Sequence, residues 1–267
     1  MTSQDMDTPH LARRREGAVE WLVFNRPRVR NAMSARMENE LVAALAEIAD
    51  DDTVRAVVFT GMRGEKPAFM AGADMGALSE AADPVAAVAL EREAERLIVA
   101  IEQLRVPTVA AMAGACVGQG ALLASACDVR IAASSLRFGF PIARTVGNCL
   151  SLANYARLIA MTSTAMTREM IFSAKLLGAE DLLAVRAIRT VVGDDEIDAK
   201  AQEVAEALTQ LAPLTLWATR QALLRLRDHG VPADADDDLL AACYGSQDMQ
   251  EAIAAFLGKR TPVWQGR

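Results

Sequence analysis

Short apolar runs bounded by turn residues alternate along this chain with stretches whose apolar positions recur every three or four residues. Residues 18–24 (AVEWLVF) and 55–60 (RAVVFT) are β-rich runs of the first kind. Between them Ser34 stands where a helix N-cap is wanted, and Met37, Leu41, Leu45 and Ile48 follow at helical spacing. The alternation resumes downstream. Residues 106–112 read as a strand, 120–126 as the start of a helix, and 128–133 (DVRIAA) as a further strand. Strand and helix in alternation predict an α/β core. After about residue 195 the pattern becomes helical throughout. Residues 199–211 and 214–227 are rich in alanine and leucine, and HGVPADADDD separates them from a last helix near 246–257. The expected organisation is therefore a core over residues 1–195 and a helical C-terminal region over 196–267, with no internal repeat and no low-complexity linker.

Composition narrows the functional classes. The chain has 267 residues, of which 52% are apolar, enough for a sizeable core and too many for a disordered chain. Acids outnumber bases 35 to 28, for a formal charge of −7. That argues against a nucleic-acid partner, since phosphate binding favours a basic domain. An anionic ligand would need a local basic patch. The four cysteines, Cys116, Cys127, Cys149 and Cys243, form no CxxC pair, and the histidines are His10 and His229. No metal site of ordinary spacing is expected from them. Scattered thiols fit a reducing cytoplasm, and the N-terminal MTSQDMDTPHLARRREG has no apolar run of a secretory signal. The uncharged stretch from Val106 to Cys127 is long enough to span a bilayer. Its Pro107, Gly114, Gly118, Gln119 and Gly120 favour a strand, a glycine turn and a buried helix, so no membrane span is expected.

Two stretches carry candidate chemistry. In residues 68–78 (AFMAGADMGAL), Gly72 permits close backbone approach, and Asp74 stands where a helix with free N–H groups can begin. Read alone, this is a strand-to-helix turn with an Asp cap. In residues 111–127 (AMAGACVGQGALLASAC), Gly114, Gly118 and Gly120 do not give GxGxxG, and the preceding strand comes late for a dinucleotide fold. A glycine turn packed beneath a helix explains them better than a nucleotide cradle. A nucleotide-dependent oxidoreductase is disfavoured on the same ground.

Together these stretches resemble the enoyl-CoA hydratase/isomerase, or crotonase, family. The resemblance runs through FNRPRVRNAMS at 24–34, DDTVRAVVFTG at 51–61, AFMAGADM at 68–75 and VPTVAAMAGACVGQGALLASACDVRIAA at 106–133. It continues in RFGFP at 137–141 and closes with SQDMQEAIAAFLGKRTPVW at 246–264. It implies a spiral of ββα turns, followed by a helical region that builds homotrimers, often paired into hexamers. It also implies an acyl-CoA substrate, with coenzyme A arriving as part of the thioester and no permanently bound cofactor. In the family two backbone N–H groups hold the thioester oxygen and stabilise the enolate formed beside it. The matching positions are Ala73 in AGAD and Gln119 in VGQGA, where the family usually has glycine at the second. Arg28 and Arg30 match positions that meet phosphate or adenine. Ala71 and Asp74 match the adenine and pantetheine path. Phe256 and Lys259 match positions that close over the nucleotide end, sometimes from a neighbouring subunit.

The sequence departs from the family where a hydratase holds its two water-activating glutamates. The first position is Leu122. The second is Ile142, with Ala143 as the alternative match because one extra residue lies between Pro141 and Gly147. None of these side chains transfers a proton. Two readings follow: an acyl-CoA enzyme whose proton carrier lies elsewhere or is not needed (a decarboxylase, isomerase or lyase), or a fold that binds acyl-CoA, or only scaffolds, without turnover. Met70, Met75, Leu122 and Ile142 are the expected apolar pocket lining. Arg144, Asn148, Cys149, Ser151 and Tyr155 are the polar candidates, Arg144 as an anchor for a carboxylate. Cys149 has no nearby histidine to make it a nucleophile. Glu91 and Glu93 in EREAER offer a carboxylate from the 78–96 segment, but alternating charges at helical spacing favour a solvated face.

Overall fold

A computed structural model describes residues 8–73, 84–145, 147–229, 246–248, 251, 254–255 and 258–267. A six-stranded sheet runs in the order β1-β2-β3-β5-β7-β9, formed by Leu11–Glu16, Val19–Phe24, Ala56–Gly61, Thr108–Met112, Val129–Ala133 and Val191–Val192. Only β1 is antiparallel to its neighbour. A second, parallel sheet joins β4 (Ala68–Ala71), β6 (Ala115–Val117) and β8 (Arg137–Gly139). The helices named from the described residues are α1 (Ala35–Asp50), α2 (Pro84–Glu102), α3 (Gln119–Ala126), α4 (Ile142–Thr145), α5 (Leu152–Met161), α6 (Thr164–Ser173), α7 (Ala179–Ala184), α8 (Ile197–Thr209) and α9 (Pro213–His229). Three successive turns place one strand in each sheet and then a helix: β3-β4-α2, β5-β6-α3 and β7-β8-α4. The ββα spiral expected from the resemblance is present.

The central strands are buried on both faces, which explains why they read as continuous apolar runs rather than alternating ones. Side chains still divide by the two-residue period of a strand. Leu22, Phe24, Val57, Phe59, Ala110, Met112 and Ala132 enter the layer filled by α1, α2 and α3. Trp21, Val23, Ala56, Val58, Val109, Ala111 and Ile131 face the other way, where Ile197, Ala201, Val204 and Ala205 of α8 cover them. β1 (LARRRE) is covered only at its start, where Leu11 enters the core. Its arginines make an edge of charge, with Arg13 bonded to Glu20 at 2.8 Å and Arg15 to Asp51 at 2.9 Å, which discourages further strand pairing.

Local signals explain where the helices begin. The Ser34 hydroxyl accepts from the Met37 N–H at 3.2 Å, and Met37, Leu41, Leu45 and Ile48 are all buried beneath α1. α9 is fastened to the core by Arg220. Its Nη2 donates to the Val106 carbonyl at 2.9 Å and its Nε lies 2.9 Å from Asp128 Oδ1. Asp128 in turn accepts from the Thr108 N–H at 2.7 Å, tying the starts of β5 and β7 together.

Candidate active site

The two glycine turns meet where β4 and β6 end side by side. Gly118 has φ 56° and ψ −119°, a conformation open essentially to glycine, and a methyl group on it would sit 3.5 Å from the Gly72 Cα. The residues that follow, Ala73 and Gln119, are thus carried on adjoining turns. Met33 donates to the Gly72 carbonyl at 2.8 Å, in a parallel bridge between Met33 and Ala73. Such a bridge uses the neighbours of residue 73 and leaves its own N–H directed away from Met33. Gln119 is the first residue of α3, and a first-turn N–H has no partner within its helix. Among the described residues no backbone acceptor meets either N–H. Developing negative charge is stabilised by preorganised N–H donors of this kind, and the Gln119 N–H stands at the positive end of a helix.

The rest of α3 is built to hold that end still. A side chain at Gly120 would strike the Met70 carbonyl at 2.5 Å, so glycine there lets the helix lie directly on β4. At the far end Arg130 donates through Nε to the Ala187 carbonyl at 2.7 Å and through Nη1 to the carbonyls of Ala124 and Cys127. A cation thus caps the negative end of the helix whose positive end carries Gln119.

Leu122 and Ile142 are 6% and 9% exposed and share one apolar cluster with Met70. Ala143, the alternative match, is exposed. Met70 is fully buried beneath α3, in the core rather than on an open wall. The loop bearing Arg28 and Arg30 is drawn against the same turns: Ala71 donates to the Arg30 carbonyl at 3.0 Å. Both arginines lie exposed. Sequence reasoning passed over the residue that places them. Asn31, fully buried with φ 57°, donates to the carbonyls of Ala68 (2.7 Å) and Met62 (3.0 Å) and accepts from the Arg26 N–H (2.9 Å). The available signal was its type, since asparagine tolerates a left-handed backbone and bonds locally.

Arg144, Asn148 and Cys149 are exposed. Arg144 lies two residues along α4 from Ile142, so it projects from nearly the opposite side of that helix. Ser151 caps α5, accepting from the Asn154 N–H at 3.3 Å, and Tyr155 is half-buried. The buried thiols are chemically quiet: burial raises Cys116 well above its ordinary value and Cys127 to about 12. Lys259 is exposed with φ 51°, in the turn where Gly258 donates to the Ala254 carbonyl at 2.9 Å. Asp74, Met75 and Phe256 lie outside the described residues. Two open surface grooves, one along Trp21, Asp198 and Gln202 and one along Leu183, Arg186 and Arg189, are lined by none of these residues.

The EREAER stretch departs from the solvated face expected of it. Glu93 is exposed and pairs with Arg96 at 2.6 Å. Glu91 turns inward instead, its Oε1 accepting from the Ser151 N–H at 3.3 Å and from Asn154 Nδ2 at 3.1 Å. Glu95 and Glu102 likewise reach Arg157, at 2.5 and 2.8 Å. Residues 91, 95 and 102 lie on one face of α2, and α5 supplies the donors opposite.

The pattern of the enoyl-CoA hydratase/isomerase family matches residues 14–267. The short-chain-enoyl-CoA hydratase of Clostridium acetobutylicum is 30% identical, covering 96% of this chain and 97% of its own length. The 2,3-dehydroadipyl-CoA hydratase of Escherichia coli is also 30% identical, over 95% of this chain and 97% of its own. An enoyl-CoA hydratase/carnithine racemase from Magnetospirillum magneticum shares the architecture with a TM-score of 0.87 at 29% identity, covering 98% of this chain and 97% of that one. The fold is thus the crotonase-type spiral, and the chain belongs to the enoyl-CoA hydratase/isomerase family.

Proposed function

We propose that this protein is an acyl-CoA enzyme that stabilises a thioester enolate with the Ala73 and Gln119 N–H groups, and that simple hydration is not its main reaction. The carrying observation is a contrast within one small region. Two backbone N–H groups on adjoining turns meet no backbone acceptor among the described residues, while the positions of the family's glutamates, Leu122 and Ile142, are buried hydrocarbon. Polarising a carbonyl needs only the donors; adding water needs a proton carrier as well. Coenzyme A comes and goes with the substrate, its phosphates meeting Arg28 and Arg30, and no permanently bound cofactor takes part. Residues 1–195 form the binding core and 196–267 the region for trimerisation and closure. Exposed Leu223 (61%) and Leu226 (50%) within that region, with Leu152 (88%) and Phe172 (87%) on the core, support a homotrimer or hexamer. Among the described residues no helix is long and apolar enough to cross a membrane, and a cytoplasmic setting is the reading that fits the thiols.

Crotonyl-CoA separates the alternatives. Loss of its enoyl-thioester absorbance is expected to run about 10²–10⁴-fold slower than for a hydratase with both glutamates, the usual contribution of general acid–base catalysis. Turnover at the ordinary hydratase rate would overturn this reading of Leu122 and Ile142. Calorimetry with butyryl-CoA tests the binding itself, and absence of heat at millimolar ligand would leave a scaffold.

A further inference from the structure

We propose that Glu91 is the proton carrier of this site, removing and returning the α-proton of the bound acyl group. The inference rests on the acyl-CoA reading above and adds the group that reading lacks. Leu150 packs against the apolar cluster that contains Leu122 and Ile142, and the next residue, Ser151, donates its N–H to Glu91. Helix α2, which carries Glu91, packs on α3, the helix that carries Gln119 and Leu122, and α3 packs in turn on α5.

Its carboxylate is held as a working acid or base needs to be. Both recorded donors, the Ser151 N–H and Asn154 Nδ2, fall on Oε1, and no described residue engages Oε2. Asn154 is itself fixed: it is buried, and its Oδ1 accepts from Arg157 Nη1 at 2.7 Å, which turns Nδ2 toward Glu91. Arg157 is in turn held by Glu95 and by Glu102, whose Oε2 accepts from its Nη2 at 3.0 Å. A row of groups across α2 and α5 thus fixes one oxygen of Glu91 and leaves the other to act.

The step balances without a further reactant. Oε2 takes the proton from the α-carbon, and the C–H electron pair becomes the carbon–carbon double bond of the enolate. The negative charge settles on the thioester oxygen between the two N–H groups. Reversal returns the proton to carbon. In heavy water the carboxyl exchanges before it returns its proton, and the thioester becomes α-deuterated.

The test follows the α-methylene signal of butyryl-CoA by proton NMR in heavy water, with binding of the same ligand measured by calorimetry. The wild-type protein is expected to exchange, and Glu203→Gln, on the exposed face of α8, to exchange equally. Glu91→Gln is expected to bind butyryl-CoA as the wild type does while exchanging at least about 100-fold more slowly. Glutamine keeps an oxygen for Ser151 and Asn154, so a role confined to bracing α5 would survive this substitution. Exchange at the wild-type rate in Glu91→Gln overturns the proposal. Binding without exchange by the wild type overturns it too and leaves the acyl-CoA reading standing. No binding by the wild type removes both. Should Glu91→Gln fail to fold, Glu91→Asp keeps the charge and withdraws it by one methylene; unchanged exchange there is equally fatal.

Discussion

At Gly118 the backbone adopts φ 56° and ψ −119°, and every L side chain resists that combination. Replacing it with alanine is expected to cost about 1–3 kcal/mol in strain. The larger effect falls on the next residue, whose N–H is aimed by that turn. Gly118→Ala should lower enolate-dependent turnover or α-proton exchange by about 10²–10³-fold, the usual loss of one donor of this kind, in protein that remains folded by circular dichroism. This turn was legible in the sequence through VGQGA, as was AGAD, because both need special backbone geometry that few residues supply. Asn31 was not, since nothing in its neighbours announces that its amide would bridge Met62 and Ala68.

At the scale of elements, the seam between α2, α5 and α9 holds a buried ion-pair network. Arg157 has a side chain only 1% exposed, and Glu102 one that is 5% exposed. Arg227 of α9 lies 2.5 Å from the same Glu102. Removing Arg157 leaves Glu102 to Arg227 alone and takes the donor from both Glu95 oxygens, so Arg157→Met should destabilise by about 3 kcal/mol in denaturant unfolding, the low end for a broken buried pair. Burial alone would raise the Glu102 carboxyl, but hydrogen bonds from Arg227 and Arg157 outweigh it and hold the group below its ordinary value. A depressed carboxyl contributes stability above its unfolded value, and that contribution is lost as pH falls through the folded one. The stability gap between wild type and Glu102→Gln should therefore be flat from about pH 6 to 8 and close below about pH 4.5, the unfolded range of glutamate. β2, β3, β5 and β7 and helices α1, α3, α8 and α9 were readable from apolar spacing, with ends shifted by a residue or two, whereas the three-residue β6 and β8 and the helices α5 and α6 were not. β1 was not readable, because an edge of successive arginines lacks the apolar alternation of a half-buried strand. The inward turn of Glu91 and Glu95 was hidden for a related reason: EREAER has the composition of a solvated face, and only donors on α5, Asn154 for Glu91 and Arg157 for Glu95, reverse it.

For the whole molecule, Leu152 at the head of α5 and Phe172 near the end of α6 leave large apolar surfaces exposed on a single chain. If they are covered in a homotrimer, Phe172→Asp should shift the sedimentation coefficient toward the monomer while the wild type sediments as a trimer or hexamer. The ββα spiral that carries the site has a consequence for how such proteins diverge. The donors proposed at Ala73 and Gln119 belong to the main chain, so they would survive most codon changes at those positions. The groups that move protons are side chains, and each can be lost, or supplied from another helix, one substitution at a time. A descendant can then trade its reaction for another without first giving up its ligand.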